Sequence, residues 1–305
     1  MRVLSLFDGI SCARVALSKL NIPVEAYYAS EIDKYAIQVS QKNWRDIEYI
    51  GNIEWLRGEY FAKQGIDLLI GGSPCQDLSI AKAGRQGLQG TRSSLFYEYV
   101  RLLKEVKPKY FILENVASMS KEAKDEITKI MGVEPIMIDA ALVGAQQRKR
   151  LFWTNIPNIT QPEDRGIMLI DILESGEVDR NKSYCIDANY YKGTHWKHYK
   201  EKGVRQLVKV GVIGKDSMGN RVYSPLGKSK TLSANGGGWG AKTGLYLLEN
   251  GDELVVRKLT PKECERLQAV PDGYTDGVSN TQRYKALGNA FNADVIAHIL
   301  SFMPA

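Results

Sequence analysis

The feature that most constrains this chain is the alternation, through its first half, of short apolar runs with helix-like segments. Val3–Phe7, Ala26–Ser30, Asp67–Ile70, Tyr110–Leu113, Ile136–Ile138 and Leu151–Trp153 are short and β-prone. Cys12–Leu20, Lys34–Lys42, Leu95–Val106 and Lys121–Met131, which lie between them, carry apolar residues at helical spacing. Parallel strands need a crossover long enough to hold a helix, so this order predicts an α/β fold with a doubly wound, mostly parallel, Rossmann-like sheet. Such sheets bind ligands at the carboxyl ends of their strands. The residues just after each apolar run are therefore the first candidates for function.

After about Thr154 the pattern changes. Asn, Gly, Tyr and Lys become frequent and periodicity weakens, until helical spacing returns at Pro261–Gln268 and Ala290–Phe302. The expected organisation is a catalytic unit of residues 1–155 plus 257–305, interrupted by a small, mainly β and irregular unit of residues 156–256. Charge follows the same division. The net charge is +6, and residues 180–230 alone hold twelve Lys and Arg against three acids. A basic block in an otherwise slightly acidic chain is the footprint of a polyanionic partner, or else a solvated face. Tyr184, Tyr190, Tyr191, Trp196 and Tyr199 lie within it, either as nucleic-acid contacts or as a small core.

Composition removes several classes. With 305 residues, 44% of them hydrophobic, the chain can bury a core without staples. Its four cysteines, Cys12, Cys75, Cys185 and Cys264, form no Cys-x-x-Cys pair, which argues against a disulfide scaffold or a zinc site and for a reducing, cytoplasmic setting. No run approaches the roughly 20 apolar residues of a membrane span. Asp8 and Gly9 come too early for a secretory signal.

Five places carry candidate chemistry. Phe7-Asp8-Gly9-Ile10-Ser11 follows the first run, where a glycine lets backbone amides approach a ligand; it is otherwise a tight turn. Glu31 ends the second run, placed to grip a ribose hydroxyl or to cap the next helix. Cys75, in Gly71-Gly72-Ser73-Pro74-Cys75-Gln76, sits like a nucleophile on a loop shaped by Gly and Pro, although an isolated cysteine is also a small buried hydrophobe. Glu114-Asn115-Val116 and Gln146-Gln147-Arg148-Lys149-Arg150 put an acid and two arginines at strand ends.

These motifs in this order, closed by Gly288-Asn289-Ala290, resemble the ordered set of the cytosine-5 DNA methyltransferases. The resemblance runs from Val3 to about Thr154 and from about Val222 to Ala297. Thr231-Leu232-Ser233-Ala234-Asn235 and Arg257-Lys258-Leu259-Thr260-Pro261 are similar to the short bacterial, HhaI-like branch.

The resemblance implies an S-adenosylmethionine-dependent enzyme that flips a cytosine from double-stranded DNA and methylates its carbon 5. Cys75 would attack carbon 6, Glu114 would protonate ring nitrogen 3, Arg150 would hold the carbonyl oxygen, and Arg148 would support the pocket. Phe7 would stack on the adenine, the Asp8–Ser11 backbone would cradle the methionine end, and Glu31 would take the ribose hydroxyls. Asn52 stands where the family usually has Asp toward the adenine amine. Ile32, Ile53, Pro74, Asn289 and Ala290 complete the expected cofactor set. Met218 would fill the hole left by the flipped base and Arg221 would read a guanine. Lys228, Lys230, Thr231, Ser233 and Asn235 would hold the DNA backbone. No metal is implied. A monomer is expected, with a restriction endonuclease as a candidate cognate partner. The same residues also suit an RNA cytosine methyltransferase or a catalytically silent DNA-binding relative.

Overall fold

The apolar runs pair as the alternation requires. The computed structural model describes residues 1–73, 95–176, 178–194, 199, 201–212, 222–223, 245–246 and 254–304. Within these, β1 (Arg2–Leu6), α1 (Cys12–Lys19), β2 (Ala26–Ser30), α2 (Lys34–Asn43), β3 (Ile47–Tyr49), α3 (Gly58–Gln64) and β4 (Leu68–Gly72) follow one another. Next come α4 (Leu95–Val106), β5 (Tyr110–Val116), α5 (Lys121–Met131), β6 (Ile136–Asp139) and β7 (Lys149–Thr154). They build a seven-stranded sheet in the order β3-β2-β1-β4-β5-β7-β6. β1 to β5 pair in parallel, and β7 runs antiparallel to both neighbours. The order reverses between β1 and β4, which makes a crevice where their carboxyl ends diverge.

Both faces of the sheet are covered, so its central strands are apolar throughout rather than alternating. α1, α2 and the C-terminal helices pack on one face, through Val15, Val39, Ile296 and Ile299. α3, α4 and α5 pack on the other, through Phe61, Phe96 and Ile127. Trp153 is fully buried there, and its indole N–H donates to Thr128 Oγ1 at 3.0 Å, so the ring adds apolar area without an unmet donor. Local chemistry sets the helix ends. Asp33 accepts from Tyr35 N before α2, Ser120 accepts from Ala123 N before α5, and Gly132 closes α5 at φ 71°.

β8 (Leu207–Val212) pairs antiparallel with β11 (Leu254–Lys258), and the two-residue strands β9 (Val222–Tyr223) and β10 (Leu245–Tyr246) pair with each other. α6 (Pro261–Leu267) starts on a Thr260/Glu263 capping box. α7 (Asn280–Asn289) and α8 (Ala293–Leu300) follow.

Several elements depart from the sequence expectation. β3 has only three residues, with Glu48 exposed between two half-buried neighbours. It is a strand because Tyr27, Tyr28 and Ala29 of β2 pair with it. α7 was not expected, because its buried positions are only Tyr284, Leu287 and Gly288 and the rest is polar. The last helix begins at Ala293 rather than Ala290, since Ala290 is extended (ψ 155°) and Asn292 supplies the cap. Tyr190 and Tyr199 are core residues. Tyr190 is fully buried, accepts from Leu259 N at 2.9 Å and stacks edge-on against Tyr284. Tyr199 donates to Asp179. Trp196 lies outside the described residues.

Candidate active site

Two adjoining features occupy the carboxyl edge of the sheet. The first is a cleft of ≈ 280 Å³ at the β1/β4 crevice. Phe7 and Gly9 line it from the turn after β1, Ser30, Glu31, Ile32 and Asp33 from the end of β2, and Asn52 and Ile53 from the segment after β3. Gly72 ends β4 beneath it, and Gln282, Lys285, Ala286 and Asn289 close it from α7.

The turn after β1 has an unusual backbone. Phe7, Gly9 and Ser11 all adopt left-handed conformations, with φ of 56°, 59° and 59°. For Phe7 and Ser11 this costs about 1–2 kcal/mol each, so other contacts must hold them. Asp8 N donates to Ser30 O at 3.1 Å and Ser11 N to Asp8 O at 3.0 Å. Gly9 has nothing within 4 Å of where a Cβ would stand, which leaves an open cradle facing the cleft. Its amide donates to Glu31 Oε2 at 2.8 Å, while Ile32 N and Asp33 N donate to Glu31 Oε1. Glu31 thus ties the ends of β1 and β2 together. With three amides bound, an ionised carboxylate of about four acceptor sites still has one for a hydroxyl.

Asp8, Ile10 and Ser11 are buried behind this wall, so what they offer a ligand is backbone. Asn52 Oδ1 accepts from Glu54 N at 3.2 Å, which caps the Ile53–Trp55 turn and keeps a second lone pair. The apolar Phe7, Ile32 and Ile53 beside the Glu31 carboxylate suit a flat base on a ribose, so the residues present fit S-adenosylmethionine.

The second feature is a pocket lined by Glu114, Arg148, Arg150, Phe152 and Phe291. Glu114 lies near the carboxyl end of β5, and β7 brings Arg150 opposite Val116. Arg150 Nε stands 2.8 Å from Glu114 Oε1, with both side chains largely buried. Gly72 joins the two features: a Cβ there would stand 2.7 Å from Phe291 and 3.0 Å from Glu114 Oε2. A single backbone thickness therefore separates the cleft from the acid.

Arg148 is placed differently from Arg150. It is 4% exposed and donates to the carbonyl oxygens of Ile186, Gly288 and Ala290 at 3.2, 3.2 and 2.8 Å, and to Cys185 Sγ at 3.3 Å. Burial, with neighbouring Arg150, lowers its pKa from the ordinary guanidinium value. It holds the Gly288-Asn289-Ala290 turn, and with it Asn289, against segment 185–188. Gly288 is in backbone contact with that segment, since a Cβ would lie 2.2 Å from Asp187 C and 2.3 Å from Ala188 N. No side-chain rotation relieves such a clash. Gly288→Ala is expected to cost at least about 1–3 kcal/mol and to weaken cofactor binding through Asn289. Denaturant unfolding beside S-adenosylhomocysteine titration checks both.

Gln282, Lys285 and Phe291 are site residues that sequence reasoning did not single out, and Asn115 enters there only as the middle of the Glu114-Asn115-Val116 motif. Asn115 Nδ2 donates to Ser73 Oγ at 3.1 Å, two residues before Cys75 in the chain. Lys285 meets Asp33 at 2.6 Å, joining α7 to the start of α2. Being adjacent to a motif was the only signal for either. Pro74, Cys75, Met218, Arg221, Lys228, Lys230, Thr231, Ser233 and Asn235 lie outside the described residues. Among the described residues no cluster of metal-ligating side chains occurs, and no helix is long and apolar enough to cross a membrane.

The architecture matches solved structures across 99% of this chain. One is the Entamoeba histolytica methyltransferase EhMeth (TM-score 0.63, 16% identity, 97% of that chain covered). Another is the S. pombe Dnmt2 methyltransferase (TM-score 0.60, 18% identity, 97% of that chain covered). Sequence similarity is higher to curated relatives. Type II methyltransferase M.HhaI of Haemophilus parahaemolyticus is 31% identical over 98% of this chain and 93% of its own length. Type II methyltransferase M.HpaII of Haemophilus parainfluenzae is 28% identical over 94% and 84%. The family model described as C-5 cytosine-specific DNA methylase matches residues 1–304, and the chain therefore belongs to that family.

Proposed function

We propose that this chain is a site-specific DNA cytosine-5 methyltransferase that uses S-adenosylmethionine. The observation that carries the reading is the Glu114–Arg150 pair, set one glycine away from a cleft whose walls suit that cofactor. When bound, S-adenosylmethionine supplies an electrophilic methyl group. The rest of the chemistry belongs to the chain.

Carbon 5 of cytosine is a weak nucleophile. Addition of the Cys75 thiolate to carbon 6 turns the ring into an enamine, which is a strong one. Glu114 donates a proton to ring nitrogen 3, so negative charge does not accumulate on the ring. Arg150 keeps Glu114 oriented and places its guanidinium toward the carbonyl oxygen. A base then takes the carbon 5 proton, the carbon 6–sulfur bond breaks with its electron pair returning to sulfur, and the proton on ring nitrogen 3 returns to Glu114, which restores the aromatic ring, the thiolate and the acid. Glu31 would accept from a ribose hydroxyl, and Phe7, Ile32 and Ile53 would flank the base. Pro74 adjoins Cys75, and Asn289 completes the far wall, whereas Ala290 is buried and does not line the cleft.

The target base is stacked in a duplex, so it must be flipped out. We assign that task to residues 156–256, with residues 1–155 and 257–305 as the catalytic unit. The basic block neutralises phosphates. Met218 occupies the vacated space, Arg221 reads a neighbouring guanine, and Lys228, Lys230, Thr231, Ser233 and Asn235 hold the backbone. Both named curated relatives are type II methyltransferases, which supports action beside a restriction endonuclease.

The test is incubation with methyl-labelled S-adenosylmethionine and either duplex DNA or tRNA. Label is expected at carbon 5 of cytosine within one short DNA sequence. Label in tRNA alone replaces the DNA reading, and label in neither makes the chain a silent binder.

A further inference from the structure

Asp8 carries an unusual amount of structure for a turn residue. Its carboxylate accepts from three hydroxyls on three different elements. Ser5 of β1 donates to Oδ1 at 2.5 Å, Tyr27 of β2 donates to the same oxygen at 2.7 Å, and Ser11, the N-cap of α1, donates to Oδ2. Those three anchors surround the only stretch of the cleft wall in which alternate residues, Phe7, Gly9 and Ser11, are left-handed among the described residues. The Ser11 hydroxyl in turn lies 2.9 Å from Ser40 of α2. Two of the three left-handed residues have side chains that resist the conformation. A buried acceptor that binds Ser11 directly, and that follows Phe7 in the chain, is what holds them.

We propose that Asp8 is a positioning residue for the cofactor, acting only as the carboxylate, by clamping the Phe7–Ser11 turn into the shape that presents Phe7 and the Gly9 cradle to the cleft. This rests on the reading of the cleft as the S-adenosylmethionine site.

The hydrogen-bond count explains why charge state matters. The carboxylate takes three donated protons without conflict. A neutral carboxyl adds a fourth proton among the same few acceptors, in a site without bulk water. The Ser11 hydroxyl must then accept the carboxyl proton and turn its own hydrogen to Ser40, which replaces a charge-assisted hydrogen bond by a weaker neutral one and loosens the hold on the turn. The groups facing Asp8 are Glu31 from the end of β2, Cys12 of α1, Tyr27 of β2, Tyr49 of β3 and Tyr274 of the C-terminal segment. Burial raises the Asp8 pKa from 3.8 to about 6, Glu31 adds to the rise, and the hydroxyls of Ser11, Ser5 and Tyr27 oppose it.

The effects on stability and on binding have opposite signs. A folded-state value above the ordinary one means that the ionised form costs stability at neutral pH, a cost relieved as pH falls through about 6. Cofactor affinity should fall through the same window. At about pH 5 roughly one molecule in ten keeps Asp8 ionised, so affinity drops by about tenfold. Acid unfolding would move both quantities in the same direction.

The experiment is calorimetric titration of S-adenosylhomocysteine into the full chain between about pH 5 and pH 8, with a thermal melt at each pH. Three proteins are compared: the unaltered chain, Asp8→Asn and Tyr27→Phe. The unaltered chain should lose about tenfold in affinity, with a midpoint near 6. Asp8→Asn should stay near the weak, low-pH level throughout. Tyr27→Phe removes one donor to the carboxylate and should move the midpoint upward. A slope shared by the unaltered chain and Asp8→Asn belongs to other groups of the cleft and overturns the proposal, as does an unmoved midpoint in Tyr27→Phe. If S-adenosylhomocysteine binds none of the three at any pH, it is the reading of the cleft that falls.

Discussion

Cys75→Ser is expected to abolish methyl transfer while leaving S-adenosylhomocysteine affinity near that of the unaltered chain. A serine hydroxyl is almost wholly protonated at neutral pH and is a far weaker nucleophile than a thiolate, so addition at carbon 6 fails. On the proposed reading, cofactor contacts come from the Phe7 turn, Glu31 and α7, which line the cleft and do not depend on the sulfur. A trapping experiment gives the complementary result. Duplex DNA bearing 5-fluorocytosine should capture the unaltered chain covalently, because fluorine cannot leave as a proton, and should not capture Cys75→Ser. Turnover by the serine variant would remove Cys75 from the mechanism.

The second large effect belongs to Glu114. Glu114→Gln keeps an oxygen for Arg150 Nε, which stands 2.8 Å away in the unaltered chain, so the pocket retains its shape. The amide cannot deliver a carboxylic proton to ring nitrogen 3. The single-turnover rate should fall by about 10²-fold or more, the usual scale of general acid catalysis. DNA affinity should change far less, because Glu114 meets one base while the basic block meets many phosphates. An unchanged single-turnover rate would place the proton donor elsewhere.

Much of the site could be read along the chain because the parallel sheet collects strand ends at one edge. Phe7, Glu31 and Glu114 each follow or end an apolar run, and β1, β2 and β5 deliver them to the same edge of the sheet. Arg150 was legible for the same reason in reverse, since β7 runs antiparallel and its beginning reaches that edge. β3 and α7 were not legible. Their own apolar content is small, and each exists through packing on a distant segment, β3 on β2 and α7 on Tyr190 and Leu259. Lys285, Gln282 and Phe291 entered the site with α7 and the turn after it, from nearly the opposite end of the chain.

The sequence by itself determined the α/β class, the order of the motifs and the chemistry of the side chains. Those depend on period, on neighbours in the chain and on the functional groups present. The tertiary structure alone decided how those groups divide their work. Arg148 and Arg150 are two residues apart in one motif, yet their partners are separate. Arg150 meets the acid of the pocket, and Arg148 meets the carbonyls of Ile186, Gly288 and Ala290. Asp8 and Gly9 are adjacent, yet one side chain is caged by Ser5, Ser11 and Tyr27 while the other residue opens to the cleft. The physical reasons differ between the pairs: Asp8 and Gly9 are adjacent in a turn and face different sides of the backbone, whereas Arg150 lies within β7 and Arg148 precedes it. What each meets is set by segments distant in the chain, which folding alone brings near.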